Sequence, residues 1–133
     1  MGLPPSRLET FTAWLASFGD AWEHVDADEL ASLFVVEATF QPGPFADLLR
    51  GRRAIRGHWA AEFAGHEDVQ FRAQVLGVGD TYGVAHWRAS YRRASDASVV
   101  VVVDGVLLAA LDPRGRCTSL RQWWHAQEHS AVS

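Results

Sequence analysis

The sequence predicts an α+β fold in which a cone-shaped, curved antiparallel sheet packs on three N-terminal helices. Apolar residues recur at spacings of three and four in the first half, then at a spacing of two from Val69 onward. Residues 98–125 read as two long apolar strands joined at Asp112-Pro113-Arg114-Gly115, which carries the preferences of a type I turn. The run from Val99 to Val103 has no polar face, so that strand belongs in the centre of the sheet, covered on both sides. Helices followed by strands give segregated layers around one core, and 133 residues at 48% hydrophobic suit a single domain over residues 1–133.

The first helix is expected over residues 6–24. Ser6 is its cap and Glu9 completes a capping box. Leu8, Phe11, Leu15, Phe18 and Trp22 form one apolar stripe, widened by Trp14. A second, short helix over residues 26–34 starts at Asp26, with Glu29 closing the box and Leu30, Leu33 and Phe34 buried. Residues 37–40 read as a short strand, ended by Gln41-Pro42-Gly43-Pro44, because proline cannot donate into a ladder. Residues 45–50 read as a loop able to cover a cavity mouth. The third helix spans residues 51–64, with Ile55, Trp59 and Phe63 on one face and Gly65 as its stop.

In the strand region Phe71, Ala73 and Val75 alternate with polar residues, and Gly79-Asp80 turns the chain. Ala85, Trp87, Ala89 and Tyr91 alternate on the next strand, and a polar turn over residues 94–97 leads into the valine run.

A formal charge of −4 and a pI near 5.8 give no general attraction for nucleic acid or acidic membranes. Every basic residue is arginine, asparagine is absent and Ile55 is the only isoleucine, a usage expected of a GC-rich bacterial genome. Cys117 stands alone, which excludes an internal disulfide and suits a reducing cytoplasm. The opening residues fit an N-myristoylation pattern loosely, with Gly2 and Ser6 in place, but two prolines and no polybasic partner argue against an anchor. A cytoplasmic protein is the expectation.

The chain resembles the nuclear transport factor 2-like superfamily, particularly its SnoaL-like branch. The residues that carry the resemblance are Trp22-Glu23-His24-Val25-Asp26-Ala27-Asp28, Leu33-Phe34, Ala38-Thr39-Phe40, Gly51 with Ile55 and Trp59, and the return strand from Arg116 to Trp124. The resemblance implies a cystatin-like α+β barrel: a cone whose sheet curls round the helices and leaves a deep apolar pocket. Members include isomerases, dehydratases, epoxide hydrolases, polyketide cyclases and non-catalytic binders, and fold does not choose among them. It also implies strand parity, with Trp87, Tyr91, Leu107, Ala109, Leu120, Gln122 and Trp124 facing into the cone. His86, Arg88, Arg121, Trp123 and His125 then face outward, beside Val100 and Val102. Such an outer face suits a homodimer, as in many members.

Three chemistries of the superfamily bear on this frame. The ketosteroid isomerase pattern of a basic Asp with a Tyr and a protonated Asp falls at about Pro42, Phe18 and Leu107, none of which can do that work. The Asp-Arg-Asp site of limonene epoxide hydrolase-like members needs carboxylates inside the pocket, whereas Asp104 and Asp112 are read at strand ends. The scytalone dehydratase type uses His, Asp and Tyr; here Tyr91 stands on an inward strand position and His58 on the third helix is a candidate base, with Glu62 one turn on. A solvated His58–Glu62 pair is the simpler reading. His58, Glu62 and His66 lie four apart, but Gly65 ends the helix before His66 aligns, so no metal is expected.

The candidate ligand site is therefore an aromatic cavity lined by Trp14, Phe18, Trp22, Phe40, Trp59, Phe63, Trp87, Tyr91, Leu107 and Trp124. Gln41, Tyr91 and Gln122 are its polar handles. Ala85, Ala89 and Ala109 are expected to leave room beside the rings. The expected ligand is a flat apolar molecule, polyketide-, steroid- or terpenoid-like. The expected chemistry is isomerisation, cyclisation or dehydration without a cofactor, with Tyr91 as acid and His58 as base. The alternatives are a non-catalytic binding protein and an interaction module with no ligand.

Overall fold

The computed structural model describes residues 5–130, so the N-myristoylation pattern at Gly2 lies outside the described residues. The elements are α1 (Arg7–Glu23), α2 (Ala27–Ala31), β1 (Phe34–Gln41), β2 (Leu49–Arg50), α3 (Arg52–Phe63), β3 (His66–Val78), β4 (Tyr82–Arg93), β5 (Asp96–Leu111) and β6 (Cys117–Ser130). The strands form one curved, unclosed sheet in the order β2-β1-β6-β5-β4-β3. From β3 to β6 every pairing is antiparallel, as expected, but β1 lies parallel to β6, so the sheet is mixed at that seam.

Both predicted helix starts hold. Ser6 Oγ accepts from the Glu9 N–H at 3.1 Å, and Asp26 Oδ1 accepts from the Glu29 N–H at 3.0 Å. On α1 the stripe from Phe11 to Trp22 is buried, whereas Leu8 at the first turn is exposed. The second helix is shorter than expected. Leu33 and Phe34 look helical by spacing, but the Leu33 carbonyl accepts from Cys117 N at 2.7 Å and Phe34 opens β1 against β6. Tertiary pairing with β6 overrides the local pattern. Leu49 and Arg50, expected in a loop, form the edge strand β2 against Phe40 and Thr39. The turn before β5 is also tighter than expected, since β5 already begins at Asp96.

The β5–β6 turn is built as the sequence implies. The Gly115 N–H donates to the Asp112 carbonyl at 2.9 Å, Gly115 takes φ 82°, and Asp112 Oδ1 accepts from Arg114 N and Arg116 N. Strand β6 runs on past His125 to Ser130, pairing with β5 as far as Val99.

The concave face holds the core, where Phe11, Phe18, Phe34, Phe40, Ile55, Leu107, Leu120 and Cys117 are fully buried. Burial pushes the Cys117 thiol up to about 12. On the convex face Asp104 sits in mid-strand, not at a strand end as read from sequence. Its carboxylate takes His86 Nε2 and Arg88 Nε, each at 2.9 Å, which holds it below the usual carboxylate range. Around it Val84, Val102, Val106 and Leu108 stay partly exposed, and the Arg121 guanidinium lies 4.7 Å over the Trp123 ring. No helix of the described residues is long and apolar enough to cross a membrane.

Candidate functional site

A cleft of about 130 Å³ opens between α3 and the concave face of β4–β6. Helix α3 brings His58, Trp59 and Glu62 to it, the start of β3 brings His66, and β4 brings Trp87 and Tyr91. Strand β6 supplies Gln122 and Trp124, and α1 supplies Trp22. A volume of this size has room for about one ring, since a benzene-binding cavity measures about 150 Å³.

Of the candidate lining residues, Trp22, His58, Trp59, Trp87, Tyr91, Gln122 and Trp124 meet at this cleft. The others lie behind it. Trp14 donates its Nε1–H to the Leu33 carbonyl at 3.1 Å and stacks between Phe11 and Phe18 at the base of the core. Phe18 has no exposed surface and packs edge-on to Trp22 and Trp59. Phe40 stacks on the far side of Trp59 at 5.8 Å, Phe63 tilts against the same ring, and Leu107 is fully buried. Gln41 pairs with outward-facing Arg121, and its amide holds the following loop by donating to Gly43 O and Ala46 O. The room beside the small alanines is taken up by rings such as Phe71, which stacks on Trp87 at 6.3 Å. The cleft is therefore narrower than those alanines suggest.

Trp124 is 45% exposed and stands at the rim, where its Nε1–H donates to the Pro42 carbonyl at 2.7 Å and ties β6 to the end of β1. Among the described residues, three buried donors have no acceptor: Trp59 Nε1, Trp87 Nε1 and Gln122 Nε2. Buried polar groups are nearly always paired, and all three of these belong to residues that line the cleft. All are N–H donors, and the missing partner is an acceptor.

His66 is the site residue that sequence reasoning missed. Its spacing from His58 and Glu62 suggests only a metal ligand, whereas in the fold it lies against Tyr91 and Trp22. It is 7% exposed, and its ring stacks on Tyr91 at 3.7 Å between centroids. The Trp22 indole N–H donates to His66 Nδ1 at 3.2 Å. An indole can only donate, so Nδ1 is an acceptor and the neutral ring carries its proton on Nε2. Nε2 in turn lies 3.9 Å from Glu62 Oε2. Burial pushes the imidazole down to about 4, so it stays neutral at physiological pH.

His58 is half-buried, edge-on to Phe40 and Trp59, and makes no ion pair with Glu62. Burial lowers its pKa, opposed in part by the Glu62 carboxylate. It is thus an unprotonated imidazole able to accept a proton. Burial raises the Tyr91 phenol, helped by Glu62, so it remains a donor. An imidazole, a phenol and apolar walls share one small space.

Two other depressions are more polar or more open. The one by the start of α1, about 320 Å³, is flanked by Arg7 bonded to the Asp80 carbonyl and by Asp112 already holding its turn. The other lies beside the exposed Arg92–Asp68 pair.

Comparison with known proteins gives a consistent picture. The sequence model described as a SnoaL-like domain matches residues 15–122. The Steroid Delta-isomerase of Nocardioides simplex is 31% identical over 113 residues, 84% of this chain and 87% of that protein. Among solved structures, the epoxide hydrolase/cyclase-like enzyme SalBIII of pyran ring formation in salinomycin superposes with a TM-score of 0.75 at 20% identity, covering 86% of this chain and 89% of that one. A computationally designed 17-OHP binder gives 0.76 at 14% identity, covering 90% and 96%. A protein of Catenulispora acidiphila with a ketosteroid isomerase-like fold, in complex with trimethylamine, gives 0.72 at 18%, covering 83% of each chain.

Proposed function

This chain belongs to the SnoaL-like domain family, and from that premise we propose that it binds the oxygen-bearing ring of a flat apolar molecule and moves a proton on it without a cofactor. The observation that carries this reading is the set of orphaned donors, Trp59 Nε1, Trp87 Nε1 and Gln122 Nε2, around an aromatic cleft. They suit a carbonyl or enolate oxygen. A cation caged by the same rings would leave all of them unpaired, although aromatic walls alone would accept one.

In this reading His58 takes a proton from the carbon next to the carbonyl, leaving an enolate. The buried N–H groups and the Tyr91 hydroxyl hold the enolate oxygen, and the proton returns to a different carbon. Gln122, not Gln41, orients the ligand. The ligand is polyketide-, steroid- or terpenoid-like, with one ring inside and the remainder passing out beside Trp124. The isomerase and cyclase-like relatives and the 17-OHP binder support this breadth of substrate. In this reading His58 takes the part of the ketosteroid isomerase base, because the positions assigned from sequence to that base and oxyanion hole, about Pro42, Phe18 and Leu107, carry no acid or hydroxyl.

Residues 1–133 act as one cytoplasmic domain, paired into a homodimer through the convex face around Val102, Val106 and Trp123, with no nucleic-acid or membrane partner.

The test is incubation with cyclohex-3-enone in D₂O. Conversion to the conjugated enone with deuterium uptake, lost in His58→Phe, is the expected result. Binding without deuterium uptake leaves a non-catalytic binder. Failure of any single-ring ketone to change tryptophan fluorescence sinks both.

A further inference from the structure

We propose that His66 is a hydrogen-bond donor of this cleft, held in its Nε2–H form by the Trp22 indole and presenting that proton to a hydroxyl or enol oxygen of the ligand. The inference rests on the reading of the cleft as a ligand site and names the chemistry of one ligand group.

The geometry supports each part. The Trp22 N–H occupies Nδ1 at 3.2 Å, so the other ring nitrogen must carry the hydrogen. The ring is 7% exposed and stacked on Tyr91 at 3.7 Å, which fixes its plane. Glu62 Oε2 lies 3.9 Å from Nε2, beyond direct hydrogen-bond reach. An oxygen seated off the line between them reaches both. To satisfy both it must accept from Nε2–H and donate to the carboxylate, which describes a hydroxyl or enol and excludes an ether or an ammonium. Glu62 is the charged group facing His66 from α3; Arg93 and Glu128 act on its stacking partner Tyr91. An imidazole that stays neutral polarises the ligand oxygen without surrendering a proton to it, a role known for neutral histidine in other active sites. His66 is then a catalytic residue by contact, and Trp22 a positioning residue.

The experiment uses the full chain with ¹⁵N-labelled histidines and phenol as probe, with anisole as its methyl ether. The His66 signals are expected to show an unprotonated Nδ1 and a protonated Nε2, unchanged from about pH 8 down to about pH 5. Phenol is expected to shift the Nε2 signal, and anisole to bind about tenfold more weakly. Trp22→Phe keeps an aromatic ring and removes the N–H, so the Nε2–H form is expected to lose its preference and an Nδ1–H signal to appear beside it. His66→Phe is expected to weaken phenol about tenfold, and His66→Gln, which still donates, to restore most of it. A Nδ1–H tautomer, or phenol binding with a motionless Nε2 signal, overturns the inference and leaves the cleft reading standing. No phenol binding at all removes both. If His66→Phe fails to fold, the wild-type tautomer and its phenol shift still decide.

Discussion

A buried N–H with no acceptor costs about 1–3 kcal/mol, and Gln122 Nε2 carries that penalty at 4% exposure. Gln122→Leu is therefore expected to leave the urea midpoint unchanged or raised while weakening phenol binding about tenfold, as read by tryptophan fluorescence. A merely structural glutamine would lose stability instead. At this scale much of the site was legible. Helical spacing put Trp22 and Trp59 on buried faces, and strand parity turned Trp87, Tyr91 and Gln122 inward. Parity also explains the error at Gln41: its neighbour Phe40 pairs with inward Leu120, so Gln41 pairs with Arg121 and faces out. His66 escaped because it sits where one period has ended and the next has not begun. It opens β3 immediately before an irregularity between Glu67 and Gln70, where Asp68 takes φ 51°, so alternation is readable only from Val69.

Among the elements, the β5–β6 ribbon was the most legible and also carries the tightest contact. Gly105 pairs with Trp124, and a methyl group there would lie 2.3 Å from the Trp123 carbonyl oxygen and 2.8 Å from Trp124 Cβ. The expectation for Gly105→Ala is a loss of about 1–3 kcal/mol in urea unfolding, because neither contact is a free side-chain end. The same change should displace Trp124 from Pro42 and alter its fluorescence, whereas an unshifted spectrum and midpoint would show that β6 yields without cost. Helix starts were readable because caps are local chemistry; the end of α2 was not, because it depends on β6, which arrives from the far end of the chain. The two-residue strand β2 had no signal of its own and exists only by pairing with Phe40 and Thr39.

For the whole molecule, the buried neutral histidine sets a pH dependence. The unfolded chain binds a proton at His66 near the ordinary imidazole value of 6.5, whereas the folded chain does so only at about 4. Between those values the unfolded state holds more protons, so stability is full above the upper value and falls as pH drops through the window, by roughly 3 kcal/mol at most. Urea titrations at neutral pH and at the bottom of that window should show this loss in the wild type and a smaller one in His66→Phe; equal slopes would refute it. The convex face gives a second expectation. Val106→Arg should convert a dimer to monomer in sedimentation, and a monomeric wild type would refute pairing through that face. The parallel seam between β1 and β6 bears on how the chain is made. Strands β3 to β6 are sequence neighbours and can zip by hairpins, but β1 must wait for Cys117 to Arg121. On the ribosome, α1, α2, β1 and α3 emerge first, with Phe34, Phe40 and Trp59 exposed until the last strand is released. The cleft, one wall of which is β6, therefore cannot take shape until that strand has been made and has paired with β1 and β5.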